Sequence, residues 1–363
     1  MNGFSSDGRL DKMIMDINTV NNVNKDEEIT ADNQNADSMI AEEQPVVRKK
    51  KRFDYHDSII WIILVTVFWY VLVFSMMGII FEADIFLSLV DKIVRTEYMR
   101  NATKFTIFYY LATLPTFLGA IIYTAVTKRN RFVFRSFFSQ DKLRSLKLLL
   151  CGLLVGFLMN GSCILCAILN GDIHLFLNFA VSQIPLYCFA LICVFIQSAS
   201  EELWVRGFMY ERINVRYPLW VAILVSSVFF GMLHAMNPGV TVFAVVEICV
   251  GGLMFAMSKW YAGNIWFPAG IHTAWNFTQN YLFGLPNSGL VSEVSVFGLD
   301  AATARSSLVY SVPFGVEGAV PSLVVDALVC VACVLLAKRA GRAHELFETK
   351  VTPRKDPLGP QPI

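Results

Sequence analysis

Three places in this 363-residue chain set ionisable or amide side chains inside otherwise apolar sequence. The first is SASEELWVRGFMYERI, residues 198–213, close behind the run LYCFALICVF. Glu202 and Arg206 are four apart, so on a helix they share a face and can pair. Glu201 stands about 100° round from Glu202 and has no evident partner on its own helix. Two adjacent carboxylates do not both stay charged in a low-dielectric site unless a cation holds one of them. Arg206 can hold Glu202, which leaves Glu201 for proton chemistry. The second place is FFGMLHAMNPG, where Phe230 and His234 share a face and Asn237-Pro238-Gly239 stops the helix. The third is FPAGIHTAWNF, where His272 and Asn276 are again four apart, after Pro268 and Gly270. Each cluster alone also fits a bland role: an interfacial ion-pair knot, a capping histidine, or hydrogen-bonding glue between helices.

Depth along the helices separates the readings. A turn at Asn214–Pro218 makes a hairpin of the flanking helices. At 1.5 Å per residue, Glu201 lies roughly 20 Å up one arm and His234 roughly 24 Å up the other. Counted from Asn264, His272 and Asn276 lie roughly 12 to 18 Å up from the same side. A carboxylate, two imidazoles and an amide at like depth imply a polar, water-holding cavity. Such a set can split an amide bond. A carboxylate or imidazole takes the proton of an attacking water, and His and Asn donors hold the oxyanion. The same residues could instead serve as a proton or ion relay in a transporter.

The three motifs resemble those of the CAAX protease and bacteriocin-processing (Abi) family of intramembrane glutamic endopeptidases. EExxxR is Glu201-Glu202-Leu-Trp-Val-Arg206, FxxxH is Phe230 to His234, and HxxxN is His272 to Asn276. The resemblance implies an endopeptidase that hydrolyses peptide bonds of membrane-associated or small secreted substrates with a glutamate-activated water. Glu201 would be the general base, assisted by His234. His272 and Asn276 would form the oxyanion hole, with Glu202, Arg206 and Phe230 in support. No cofactor is expected; zinc is a minor alternative, because two histidines and a glutamate also suit it. The competing reading is a non-catalytic immunity factor or scaffold of the same fold.

These residues need elements to hold them, and the composition says which. The chain is 55% hydrophobic and 16% charged, with mean hydropathy +0.52. That balance points to a membrane. Net charge is +1, and nothing in the pattern suggests nucleic acid. The expected fold is all-α: a polytopic helical membrane protein of about eight transmembrane helices with the active site inside the bundle. The apolar runs fall near 58–81, 105–127, 146–169, 181–205, 219–236, 240–258, 264–283 and 322–338.

Basic residues cluster between alternate runs: Lys128 to Lys147, then Arg212 and Arg216, then Lys259, then Lys338, Arg339 and Arg342. The positive-inside rule then puts both termini in the cytoplasm, here of a bacterial cell membrane. The organisation expected is a disordered acidic tail over 1–52, ending in the basic run Arg48–Arg52, and N-terminal helices over 53–180. A catalytic four-helix core over 181–283, an extracytoplasmic loop over 284–321, and a last helix with a basic tail over 322–363 complete it. Partners are a peptide or membrane-protein substrate and the lipid bilayer; oligomeric state stays open. The eight cysteines lie in apolar runs and read as small hydrophobes, although Cys163/Cys166 and Cys330/Cys333 have CxxC spacing.

Overall fold

The structure is a computed structural model that describes residues 55–81, 88, 91–92, 94, 96–138 and 141–348. The tail expected over 1–52 lies outside the described residues. The described chain is helical apart from one two-stranded ribbon. Its helices are α1 Ile59–Phe81, α2 Glu97–Tyr109, α3 Leu114–Val126, α4 Arg131–Phe137 and α5 Lys142–Leu169. They continue as α6 Ile184–Glu202, α7 Tyr210–Asn214, α8 Leu219–Leu233, α9 Val242–Ala262, α10 Trp266–Phe277 and α11 Val320–Arg339.

Sequence sets the ends of these helices. Thr96, Asp141 and Thr241 accept from the backbone N–H groups of Met99, Arg144 and Ala244, which satisfies amides that a helix start leaves free. Gly263 closes α9 at φ 61°, a left-handed conformation that glycine adopts without strain. The run expected over 105–127 is two helices joined by a 3-10 turn at Leu111–Thr113. Pro115 lacks the N–H that a continuous helix needs there. The run from α6 goes the other way. It continues past Glu202 through a π-helical stretch, Leu203–Met209, into α7. A second π-helical stretch, Thr278–Leu282, follows α10.

Among the described residues, five runs are long and apolar enough to cross a membrane: Glu97–Val126, Lys142–Leu169, Val181–Asn214, Val242–Ala262 and Val320–Arg339. Ile59–Leu72 and Leu219–Leu233 are shorter apolar helices, and α10 covers most of the remaining expected run. On α5, Leu143, Leu146, Leu150, Leu154, Phe157 and Leu165 are exposed in one stripe. The opposite face, with Gly152, Gly156 and Cys163, is buried. An apolar stripe of that length on the outside suits lipid contact and would be a liability in water. All eight cysteines are unpaired, and Cys151, Cys166 and Cys188 face outward.

Helices α5 and α10 meet backbone to backbone. A Cβ at Gly152 would collide with the Phe267 carbonyl, one at Gly156 with the Ile271 carbonyl, and one at Gly270 with the Leu149 carbonyl. Small residues four apart allow such an approach. The ribbon pairs β1, Leu175–Leu177, antiparallel with β2, Phe297–Leu299, and sets Leu175 opposite Leu299. It ties the segment between α10 and α11 to the chain leaving α5. At the other end of the bundle, basic residues make specific joints. Arg212 donates to Asp57, Lys259 to Glu211, and Arg144 to the Ala262 carbonyl. Arg342 donates to the carbonyls of Trp260 and Tyr261.

Candidate active site

The end of α6 carries Gln197, Ser198, Glu201 and Glu202 into the middle of the bundle. Glu202 and Arg206 are both fully buried, and Arg206 Nη1 donates to Glu202 Oε1 at 3.0 Å. The pair spans the change from α-helix to π-helix, and the wider turn still leaves the two side chains on one face. The guanidinium also lies over the Phe230 ring, 4.1 Å from its centroid, and 5.1 Å from that of Phe255. Arg206 Nη2 donates to the Gly252 carbonyl. The Arg206 carbonyl accepts from Lys259 Nζ at 2.6 Å. Rings and backbone therefore fix Arg206, which in turn holds Glu202 through Oε1; Glu202 Oε2 has no hydrogen-bond partner.

His272, on α10, reaches the same carboxylate: its Nδ1 is 3.1 Å from Glu202 Oε1. A carboxylate oxygen only accepts, so Nδ1 carries the hydrogen. Its Nε2 then faces Glu201, 3.8 Å from Oε2. The ring stacks on Phe255 at 4.8 Å. Glu201 is held by one oxygen only. Gln197 Nε2 donates to Oε1 at 2.7 Å, and Oε2 has no hydrogen-bond partner. Gln197 also accepts from Asn276 Nδ2 at 3.1 Å, and Ser198 Oγ lies 3.4 Å from that amide. Glu201, Gln197 and Asn276 thus form one chain of hydrogen bonds.

A cavity of about 410 Å³ opens in front of these groups. Glu201, His234, His272 and Asn276 all line it, so all four residues singled out by their chemistry meet one space. His234 caps α8, and its Nδ1 lies 2.9 Å from the Phe230 carbonyl. It stands on the cavity wall apart from the Glu201–His272 contact. Glu202 and Arg206 lie behind the wall.

Several residues here escape the sequence reading. Gln197 stands four before Glu201, the same spacing that flagged Glu202 and Arg206. The Tyr70 hydroxyl, from α1, also lines the cavity and has no hydrogen-bond partner. Glu247 on α9 and Asp326 on α11 are ionisable residues in apolar runs, the signal that exposed the first three clusters. Neither has a charged residue four away on its own helix, and only Asp326 has a polar one, Ser322. Glu317 precedes α11. Its Oε1 accepts from Trp275 Nε1 at 2.9 Å, and its Oε2 accepts from the backbone and hydroxyl of Ser288 at 2.6 Å. Burial raises this carboxyl above its ordinary value, against the donors of Ser288 and Trp275 and the nearby His234. Among the described residues, no three His, Cys, Asp or Glu side chains converge as metal ligands would.

Comparison with known proteins bears on the same helices. Residues 183–278 match the family model described as type II CAAX prenyl endopeptidase Rce1-like. That stretch runs from the start of α6 into the π-helical turn after α10 and holds all seven motif residues. The family resemblance read from the motifs is therefore shown over this segment, and it supports protease chemistry at the level of the family. The uncharacterized protein YyaK of Bacillus subtilis (strain 168) is 34% identical over 92 residues, 24% of this chain. The match covers 30% of that relative, so the chain spans under a third of its length. No solved structure matches the chain.

Proposed function

We propose that this protein is an intramembrane endopeptidase that hydrolyses peptide bonds of membrane-associated or small peptide substrates with a water activated by Glu201. The observation that carries this reading is the unequal state of two neighbouring carboxylates. Each has one oxygen without a hydrogen-bond partner, but Glu202 is paired with Arg206 behind the cavity wall, whereas Glu201 is held by the neutral Gln197 amide and itself lines the cavity.

Glu201 takes a proton from water as the water oxygen bonds to the scissile carbonyl carbon. The carbonyl oxygen becomes an oxyanion and accepts from His272 Nε2 and Asn276 Nδ2. His272 donates from Nε2 when doubly protonated. The C–N bond breaks as Glu201 passes its proton to the leaving amine. Gln197 holds the base and the amide donor in register, and His234, which lines the same cavity, assists by ordering the water. In this reading the reaction needs no metal, because Glu201 takes the water's proton and His272 and Asn276 hold the oxyanion.

In this reading both termini lie on the cytoplasmic side of a bacterial membrane, since the basic joints gather at one end of the bundle. A prenylated substrate, as the matched family's description names, is one member of the class. The test compares new peptide N-termini in membranes and medium of cells carrying wild type or Glu201→Gln at matched expression. A small set of termini that needs Glu201, and that persists when a metal chelator is added to isolated membranes, is the expected result. Identical profiles in cells that still differ from a deletion strain would make the protein a scaffold.

A further inference from the structure

Four carboxylates line the cavity, and only one of them serves the hydrolysis. Glu247, Glu317 and Asp326 stand on the walls made by α9, the residues before α11, and α11 itself. They are 2%, 7% and 3% exposed. Asp326 feels Glu317, and Glu247 feels both of the others. Among the described residues, neither Lys nor Arg lines the cavity. The nearest cation of the site, Arg206, is spent on Glu202 and lies behind the Phe230 ring.

Glu317 has both oxygens occupied by donors. Asp326 does not: its Oδ1 is buried, lines the same space and accepts no hydrogen bond. Its other oxygen faces a gap at Gly251, where an added Cβ would stand 3.0 Å away. Ionisable groups inside a membrane protein are costly and ordinarily find a partner. Here the missing partner is a positive charge, and the side of the cavity next to it is apolar. Ile248, Met254 and Phe255 suit the aliphatic stem of a long basic side chain, whose head would reach Asp326.

We infer that Glu247, Asp326 and Glu317 form a subsite that binds the Lys or Arg side chain of a peptide whose backbone lies at Glu201. Trp275 links the two halves. It stands next to Asn276 in the chain and donates to Glu317. This assignment rests on the peptidase reading for the identity of the ligand. The basic residue therefore lies near the scissile bond.

The test uses full-length Glu201→Gln protein in detergent and labelled Ala/Leu peptides carrying one central Lys, Arg or norleucine. The basic peptides are expected to bind about tenfold tighter than the norleucine peptide, roughly 1.4 kcal/mol. Adding Asp326→Asn or Glu247→Gln is expected to cut that preference to about twofold or less, roughly one charged hydrogen bond lost. Gly251→Ala, which crowds Asp326 without changing charge, is a further variant, and each variant's folding is checked by its melting curve. Equal binding of basic and norleucine peptides overturns the subsite, whatever the variants do. So does a preference that survives in folded Asp326→Asn and Glu247→Gln proteins. Cleavage of the same peptides by wild type is scored separately. A basic preference without any cleavage sinks the peptidase reading and leaves the cation subsite standing.

Discussion

At the scale of residues, the two glutamates differ by what surrounds them. Glu202 Oε1 accepts from Arg206 and His272, and the rings of Phe230 and Phe255 pack on that guanidinium. Glu201 is held from one side only. Removing the guanidinium would strand a buried carboxylate. Arg206→Ala is expected to cost about 3–5 kcal/mol, read as a lower melting temperature in detergent. Arg206→Lys keeps the charge but loses the planar stacking on Phe230, and should fall between. The Glu202–Arg206 partnership is legible in sequence because both ends sit on one helix face. Gln197 was equally legible by spacing, yet its polar amide draws less notice than a charge. Glu247, Asp326 and Glu317 were not legible as a group, since their proximity depends on three segments far apart in the chain.

At the scale of elements, α5 contributes no candidate catalytic group but sets the position of α10. The backbone contact through Gly152, Gly156 and Gly270 leaves no room for a side chain. Gly156→Val should force the helices apart and destabilise by at least about 1–3 kcal/mol, with peptidase activity falling because His272 and Asn276 move with α10. Thermal unfolding of the purified variant checks the first effect, and cleavage of a peptide at equal folded concentration checks the second. The positions of most helices follow from runs of apolar sequence. The two π-helical stretches do not, because a widened turn answers to neighbouring packing rather than to composition. Trp204, inside the first of them, is wholly buried with its indole N–H donated to the Thr116 carbonyl of α3. Pro115 was visible as a break, though apolar residues on both sides masked it in a hydropathy count.

At the scale of the whole molecule, the segment from 284 to 321 is wall rather than tether. Ser288 and Glu317 close one side of the cavity, and the ribbon pins the segment's middle to the exit of α5. Beside that ribbon Asp172 is buried. Burial alone raises its carboxyl, but donors from Ser307, Asn170 and Arg305 outweigh this and hold it below the ordinary value. A carboxyl lowered in the folded state adds stability above its unfolded value, about pH 4. That contribution is lost as pH falls through the still lower folded value. Asp172→Asn is therefore expected to melt a few degrees lower than wild type at neutral pH, with the gap narrowing below about pH 4. Melting curves from pH 7 to pH 3 decide it, and a constant gap would reject the linkage.

Loops between membrane helices are the usual places to attach a tag or label, because exposed tips tolerate insertion. That habit misleads here. A label inserted near Ser288 would cut the link from Ser288 through Glu317 to Trp275 and open the chamber it was meant to report on. The turn at Ala301–Thr303 is exposed and hangs clear of those contacts, so a reporter placed there would mark which side of the membrane the segment occupies while leaving the chamber shut.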